Sequence, residues 1–433
     1  MIVAAMAAVL DAPVAGLTRL SGGASRETWA FTAGGRELVL RTGDGIGGVA
    51  LAVEAEAMTA AAGTGVPVPE VVTTGHLDGR PYLLMARVDG ETIPRRILRD
   101  PALAGPGRAA ELGALLARLH ALPLAQVPGV RPAGEPLAAL DRAHLAGGRV
   151  PPPGLALGLR ELADTPRETT REVLVHGDFR LGNLMLGPDG VRAVLDWELV
   201  HRGDPVEDLG WLCAKVWRFG SPHPAGGFGS REELLDGYAA VAGWRPTAAQ
   251  LRWWELYATV RWGLMCAVMA DRHLSGAEPS VELAAIGRRA AEQEFDVLLA
   301  LGHDVPDAAP PPEPDGASEA DLFGRPTAVE LLDAVAQHLS VDVQPGGDRV
   351  AFHARVAGNV LATVRRELLL GPAARARHRT RLDRLGCADD VALARAVLDG
   401  SLDHRRDEVV AAVREAARDR LAVANPRHLA VPA

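Results

Sequence analysis

The sequence predicts an α+β fold in which a β-rich segment precedes a mainly helical one. Short strand-like runs separated by glycine pairs occupy residues 17–90, and helical apolar spacing dominates residues 101–305. A third region, residues 326–423, is helical throughout. Between the two helical regions, Val305 to Leu322 is rich in Pro, Ala, Asp and Glu, which is the composition of an extended linker.

The chain is therefore expected to contain several domains, since 433 residues exceed one ordinary domain. We predict an N-terminal lobe at 1–88, a C-terminal lobe at 89–304, a Pro-rich linker at 305–324 and a helical domain at 325–433. The third region begins after Arg325 and Pro326, and Thr327 is the predicted cap of its first helix.

Bulk composition narrows the class of protein. A net charge of −9 with mixed signs gives no support for nucleic-acid binding. The three cysteines are far apart, so we expect neither a disulfide framework nor a structural zinc site. No apolar run approaches the roughly 20 residues that span a bilayer. We expect a cytoplasmic protein without a membrane partner, and a homodimer stays an option for its assembly.

The N-terminal elements follow from local pattern. "MIVAAMAAVL" lacks a basic segment before its apolar run, so we interpret it as the start of a helix or strand and not as a signal peptide. "LTRLSGGASRETWAFTAGGRELVLRT" predicts two or three strands, and "VALAVEAEAMTAAAG" predicts a helix that ends at Gly63. "VPVPEVVTTG" and "GRPYLLMARVDG" predict further strands.

The stretch "HGDFRLGNLMLGPDGVRAVLDWE" places polar side chains at both ends of a predicted hairpin. Asp178 and Asn183 precede its first strand, Pro-Asp-Gly forms the turn, and Asp196 follows its second strand. Phosphoryl transfer from a nucleotide needs a carboxylate at the substrate hydroxyl, and carboxylate or amide oxygens for Mg²⁺. We predict Asp178 as the catalytic base, Asn183 and Asp196 as magnesium ligands, and His176 as a brace of the loop.

This segment is similar to the catalytic segment of aminoglycoside phosphotransferase-like enzymes, in which H-G-D-x-x-x-x-N is followed by a hairpin and L-D-W-E. The trailing "GDPVEDLGW" most resembles the branch associated with acyl-CoA dehydrogenases. The resemblance covers about residues 15–300. It implies a protein-kinase-like bilobal fold and a Mg²⁺-dependent kinase that moves the γ-phosphate of ATP to a small-molecule hydroxyl.

The resemblance also implies which upstream residues bind the nucleotide. Ser25 lies in "LSGGASRE", where a phosphate-covering loop belongs. Arg41 stands where the family has a lysine on the α- and β-phosphates, and it keeps the charge but presents a planar fork. Glu54 is the helix glutamate that would pair with Arg41, and Glu56 is the alternative.

The resemblance assigns further roles downstream of these residues. In "YLLMARVDG", Met85 would be the gatekeeper, and the backbone of Ala86 and Val88 would bind the adenine. In "GDPVEDLGW", Asp204 and Asp208 would brace the catalytic loop.

Candidate acceptor-binding residues are less sharply defined. Arg180 lies inside the loop. Its sequence position supports equally a contact with an anionic substrate group and a structural role. Trp253 and Arg261 belong to an aromatic and basic set in "LRWWELYATVRWGLM". Most tryptophans at helical spacing are core residues. The part of the set that lines a cleft would suit an apolar substrate with an anionic end, such as a hydroxyacyl thioester of coenzyme A.

The region after the linker resembles a helical domain of unknown function. His353, Arg355 and Asn359 interrupt an apolar helix there, and we predict a buried polar cluster or helix-packing contact. A regulatory or subunit-contact role is the alternative for these three residues. Two other functions stay open for the whole chain. Because arginine replaces the family's lysine at position 41, one alternative is a nucleotide-binding regulatory or scaffold protein without turnover. The other alternative is an aminoglycoside kinase.

Overall fold

The structure is a computed structural model, which describes residues 2–20, 26–43, 48–168, 170–314, 325–346 and 348–431. These residues form two compact units. The first unit comprises Met1–Gly134 and Arg167–Glu255, and the second comprises Glu135–Pro166 and Leu256–Ala433. The boundaries predicted at residues 88, 304 and 324 stay predictions.

The described helices have these bounds in chain order: α1 Ile2–Leu10, α2 Leu51–Ala62, α3 Pro94–Ile97, α4 Arg108–His120, α5 Pro136–Leu140, α6 Pro153–Asp164, α7 Val206–Cys213, α8 Arg231–Ala242, α9 Ala248–Leu274, α10 Val281–Gly287, α11 Ala290–Ala300, α12 Ala328–His338, α13 Asp348–Leu385, α14 Asp390–Asp399 and α15 Arg406–Ala424. The strands are β1 Val14–Leu20, β2 Glu27–Ala33, β3 Arg36–Thr42, β4 Val71–Leu77, β5 Arg80–Ala86, β6 Val173–Val175, β7 Leu184–Gly187, β8 Gly190–Val194 and β9 His201–Gly203.

The first unit contains a five-stranded antiparallel sheet in the order β1-β2-β3-β5-β4. Successive side chains of a strand point to opposite faces. In β3, Leu38 and Leu40 are fully buried, and they pack with Phe31, Tyr82 and Leu84 in one apolar cluster. Residue 41 therefore belongs to the other face of this strand, and its backbone pairs with that of residue 83.

The predicted hairpin forms as β7 and β8, and both of its strands are tied to the N-terminal part of the same unit. Glu91 and Leu186 exchange two backbone hydrogen bonds of 2.9 and 3.0 Å. The N–H of Val194 donates to the carbonyl of Pro67 at 2.8 Å. These bonds fix the hairpin against the residues that follow the sheet and the helix α2.

The second unit is built from helices that share an apolar core. Leu157, Leu298, Leu393, Val413 and Ala417 are buried in one cluster from α6, α11, α14 and α15. The predicted start of α12 is confirmed. Its capping box joins the Thr327 hydroxyl to the Glu330 N–H at 3.3 Å, and the Glu330 carboxylate to the Thr327 N–H at 2.7 Å.

The predicted buried polar cluster of this region is wrong. His353, Arg355 and Asn359 are all exposed on α13. The apolar spacing of a single helix does not indicate which side its neighbours cover, and here they leave these three positions in solvent. Over the described residues, no helix combines the length and the apolar character needed to cross a bilayer.

Candidate active site

The loop between β6 and β7 holds the side chain of Asp178 by several donors. Its Oδ1 accepts hydrogen bonds from Trp211 Nε1 at 2.8 Å and from Arg180 Nε at 2.9 Å. Its Oδ2 accepts one from Asn183 Nδ2 at 2.6 Å, and the same amide donates to the Asp178 carbonyl at 3.0 Å. The carboxylate is thus fixed in direction, and the two predicted residues of the motif are in contact.

The backbone before Asp178 is held by Asp208 of α7. The two oxygens of Asp208 accept the N–H of Gly177 at 2.9 Å and the N–H of His176 at 2.8 Å. Gly177 has φ +80°, and a Cβ at this position would lie 2.4 Å from the carbonyl oxygen of Leu199. Only glycine therefore fits this turn without a shift of the backbone.

His176 braces the loop in its neutral form. Its Nδ1 accepts the N–H of Asp178 at 3.2 Å, and its Nε2 lies 3.1 Å from the carbonyl oxygen of Leu195. These partners require a proton on Nε2 and none on Nδ1. Complete burial lowers the pKa of His176 against the pull of the surrounding carboxylates, which favours the same neutral form.

Asp208 is a fully buried carboxylate with a third donor. Its Oδ2 lies 3.2 Å from Nε2 of His120, whose Nδ1 lies 3.1 Å from the Tyr238 hydroxyl. Burial favours the neutral carboxyl group, but the hydrogen bond from His120 and the backbone N–H of His176 oppose it. The net result is that the pKa of Asp208 lies below its ordinary value.

Asp196 lies where the hairpin returns to the loop. The N–H of Leu195 donates to the carbonyl of Asn183 at 2.8 Å, which brings the residue after β8 beside the residue before β7. Asp196 has φ +62°, a conformation that few non-glycine residues adopt and that is concentrated at functional sites. Its Oδ1 accepts a hydrogen bond from Arg41 Nη2 at 3.0 Å.

Arg41 links Asp196 to a buried glutamate. Its Nη1 donates to Glu54 Oε2 at 2.8 Å, so one guanidinium joins β3, α2 and the end of the hairpin. The pairing that the resemblance implied for Glu54 is therefore present. The other oxygen of Glu54 pairs with Arg26, whose Nη2 also donates to the carbonyl of Val49 at 2.5 Å.

The donor chemistry at the predicted metal ligands fits Mg²⁺. The amide nitrogen of Asn183 is used by Asp178, which leaves the amide oxygen as the ligand atom. Asp196 pairs with Arg41 through Oδ1 and has a second carboxylate oxygen. One amide oxygen and one carboxylate suit a magnesium ion that takes its other ligands from phosphates and water.

The contacts predicted for the remaining site residues are not tested by the structure. Ser25 is outside the described residues. The N–H of Ala86 donates to the carbonyl of Glu70 at 2.8 Å, so only the carbonyl of that residue is left for an adenine. Trp253 is buried against Trp254, and Arg261 belongs to the second unit. Their predicted contacts with substrates, like that of Val88, stay predictions.

Two residues of the site were missed in the sequence. Arg26 is not among the predicted site residues, although a buried glutamate needs more donors than one arginine offers. Trp211 received no role, although it stands three positions after Asp208 on the same helix. That spacing puts both residues on one face, which was a usable signal.

Comparison with known structures supports the fold. A solved structure of a candidate aminoglycoside phosphotransferase from Ralstonia eutropha aligns with 70% of this chain and 97% of that one, with a TM-score of 0.56 and 21% identity. At this identity the likeness concerns the fold alone. It confirms the predicted α+β, protein-kinase-like class.

Two curated relatives are similar in sequence. Acyl-CoA dehydrogenase family member 10 of Mus musculus is 32% identical over 222 residues, which is 46% of this chain and 20% of that protein. Acyl-CoA dehydrogenase family member 11 of Gallus gallus is 32% identical over 166 residues, which is 34% of this chain and 20% of that protein. The match thus spans about a fifth of each relative, and it confirms the predicted resemblance to the dehydrogenase-associated branch.

Two family matches cover separate parts of the chain. Residues 345–428 match a domain of unknown function (DUF6285), as the resemblance of this region implied. Residues 16–254, which are more than half of the chain and contain Asp178, Asn183, Asp196, Arg41 and Glu54, match the phosphotransferase enzyme family. This match confirms the predicted phosphotransferase family, and the chain belongs to the phosphotransferase enzyme family.

Proposed function

We propose that the chain is a kinase that transfers the γ-phosphate of ATP to a hydroxyl group of a small molecule. The observation that carries the proposal is the fixed carboxylate of Asp178. Asn183 donates a hydrogen bond to this carboxylate, and its carbonyl accepts the N–H of Leu195, the residue before Asp196. Phosphoryl transfer requires mainly positioning and charge neutralisation. This arrangement offers an acceptor for a hydroxyl proton beside two oxygen ligands for a cation.

Each residue has one task in the proposed reaction. Asp178 accepts the hydrogen bond of the acceptor hydroxyl and aims its oxygen at the γ-phosphorus. Arg41 contacts the phosphates, and buried Glu54 holds its guanidinium in place. Asn183 and Asp196 would hold Mg²⁺, which when bound neutralises phosphate charge. The backbones of Ala86 and Val88 would meet the adenine.

For the acceptor we propose a hydroxyacyl-CoA or a related hydroxy acid. Support comes from the two relatives, which are acyl-CoA dehydrogenase family members 10 and 11. A hydroxyl on such a molecule is the group that a fixed carboxylate can orient. An aminoglycoside acceptor and a nucleotide-binding protein without turnover are the alternatives that the following experiment separates.

The proposed function predicts that ATP with MgCl₂ stabilises the protein and is consumed. Saturation at about 100 times the dissociation constant adds roughly 2.7 kcal/mol to the free energy of unfolding, which thermal denaturation detects. ADP release should rise when 3- or 4-hydroxyacyl-CoA compounds are added, and kanamycin should leave it unchanged. Stabilisation without phosphoryl transfer to any compound of a broad hydroxyl panel would instead support the regulatory alternative.

Arg41→Ala is expected to weaken ATP binding and turnover together. The substitution removes the predicted phosphate contact and leaves Glu54 without one of its two arginines. We expect KM for ATP to rise about tenfold, as loss of one charged hydrogen bond costs roughly 1.5–3 kcal/mol. Arg41→Lys should recover only part of this, because one ammonium group does not reproduce the fork that joins Glu54 and Asp196.

The matched control lies in the same strand. Arg36 pairs with Glu70 at 2.9 Å, and half of its side chain is exposed. Arg36→Ala should therefore leave KM for ATP within twofold of the wild-type value, because exposed ion pairs contribute roughly 0–1 kcal/mol. Equal effects of the two alanine substitutions would contradict a specific role for Arg41.

A further inference from the structure

The helix α7 holds the catalytic loop at two separate points. Asp208 accepts the N–H groups of His176 and Gly177, and Trp211 donates its indole N–H to Oδ1 of Asp178 at 2.8 Å. The two residues are three positions apart, so they share one face of the helix. One contact fixes the backbone of the loop, and the other fixes the carboxylate itself.

The packing of α7 leaves Trp211 little freedom. Its side chain is 1% exposed. The preceding residue, Gly210, lies so close to α9 that an added Cβ would be 2.6 Å from the Cβ of Trp254. The helix can approach α9 this closely only because residue 210 has no side chain.

Arg180 is fixed on the same oxygen by an aromatic pair. Its Nε donates to Oδ1 of Asp178 at 2.9 Å, and its guanidinium lies 4.4 Å from the ring centroid of Trp217. That ring in turn packs against Trp211, with 5.4 Å between the centroids. A guanidinium over an indole face is attracted by the ring electrons, most strongly when water is excluded.

We propose that Trp211 and Arg180 are positioning residues that hold Oδ1 of Asp178 and leave Oδ2 to meet the acceptor hydroxyl. Trp217 keeps Arg180 on that oxygen. This inference rests on the proposed function of Asp178. It also gives Arg180 a definite task, which is to orient the carboxylate and not to bind a substrate anion.

The division of the two oxygens matters for the transfer step. The acceptor oxygen forms a bond to the γ-phosphorus while the bond from that phosphorus to the bridging oxygen of ADP breaks. The hydroxyl proton passes to Oδ2, where Asn183 donates the one hydrogen bond that the described structure gives this oxygen. With Oδ1 occupied by two donors, rotation of the carboxylate is blocked, and the hydroxyl meets a single acceptor in a fixed direction.

The first test is spectroscopic and needs no substrate. In protein carrying ¹⁵N-labelled tryptophan, the indole signal of Trp211 is identified by its loss in Trp211→Phe. Asp178→Asn should move this signal, because the charged acceptor of its hydrogen bond is removed. Asp189→Asn, in the exposed turn of the hairpin, should leave it in place. If the indole signal of Trp211 keeps its position in folded Asp178→Asn protein, the inference is overturned.

The second test separates positioning from binding. Trp211→Phe keeps an aromatic ring and loses the N–H, so we expect kcat for ADP release from ATP and MgCl₂, with water as acceptor, to fall about tenfold, the size of one charged hydrogen bond. KM for ATP should stay within twofold. In the Asp178→Asn background, Trp211→Phe should cause no further loss of kcat, because it acts through that carboxylate.

Trp244→Phe is the matched control, since its indole N–H has no hydrogen-bond partner among the residues that the structure describes. It should keep the wild-type kcat. A wild-type kcat in Trp211→Phe, or a full tenfold loss on top of Asp178→Asn, overturns the inference while leaving the proposed function intact. Absence of ADP release by the wild-type protein with water and with every compound of the hydroxyl panel defeats the proposed function, and the indole signal then decides the positioning claim separately.

Discussion

Asp178→Asn is expected to lower kcat for phosphoryl transfer by about a thousandfold, within the range of roughly 10²–10⁴ that a positioned base contributes. The amide keeps the shape of the side chain but cannot take the proton of the acceptor hydroxyl. It also turns an N–H₂ group toward donors, because both carboxylate oxygens already accept hydrogen bonds from Trp211, Arg180 and Asn183. Positioning and proton acceptance are therefore lost together.

The nucleotide should still bind to this variant. Arg41 and Glu54 hold each other through contacts that do not include Asp178. We expect the rise in melting temperature with ATP and MgCl₂ to match that of the wild-type protein, while single-turnover transfer of ³²P from ATP falls. A loss of both would indicate a damaged fold. A variant that keeps more than a tenth of the wild-type rate would contradict a base at position 178.

Asp189→Asn serves as the control for this measurement. Asp189 lies in the turn of the same hairpin, its side chain is 70% exposed, and it pairs with Arg192 at 2.9 Å. The substitution removes one negative charge a few residues from the site without removing a buried hydrogen bond. Its kcat should equal that of the wild-type protein, so that a loss in Asp178→Asn reflects the position and not the charge.

Much of this architecture was predictable because it depends on short-range pattern. The alternation in "RELVLRT" fixes which side of β3 is apolar, and the Pro-Asp-Gly turn fixes the hairpin. If residues 184–194 form an antiparallel hairpin, Asn183 and Asp196 must lie close together, because they flank its two paired ends. The position of Asp178 follows from its distance of five residues to Asn183.

Other features depend on packing between distant segments, which a single pattern does not record. The indole of Trp211 meets Asp178 across 33 residues, and the close approach of α7 to α9 depends on the glycine at position 210. Arg26 meets Glu54 across 28 residues, and only the assembled sheet brings them together. The exposure of His353 has the same origin, since the spacing of one helix leaves its covered side undefined.

Asp208→Asn is expected to destabilise the fold by about 3–5 kcal/mol, because hydrogen bonds to a charged group contribute roughly 1.5–3 kcal/mol each and a buried donor left without a partner adds its own desolvation cost. Asp208 is fully buried, and its two oxygens accept the N–H groups of His176 and Gly177 and face Nε2 of His120. An amide offers only one acceptor oxygen. Its N–H₂ group must therefore face at least one buried N–H donor, which then has no partner.

The loss should appear as a fall in melting temperature of about 10 °C, at roughly 2–4 °C per kcal/mol for a unit of this size. The control is Asp236→Asn, since Asp236 is 70% exposed and pairs with Arg245 at 3.0 Å on the surface of α8. That variant should melt within about 2 °C of the wild-type protein, because exposed pairs contribute roughly 0–1 kcal/mol. Similar losses in both variants would contradict a special role for the buried carboxylate.

The stabilisation that Asp208 contributes should depend on pH in a definite direction. Because the pKa of Asp208 is lower in the folded protein than its ordinary value, its ionisation stabilises the fold at pH values above that of the unfolded group, about 3.9. This contribution is lost as the pH falls through the folded value. The difference in melting temperature between wild-type protein and Asp208→Asn should therefore narrow as the pH falls below about 4. A difference that instead widens in acid would mean that Asp208 is protonated in the folded protein. That result would contradict the claim that an ionised Asp208 holds the catalytic loop.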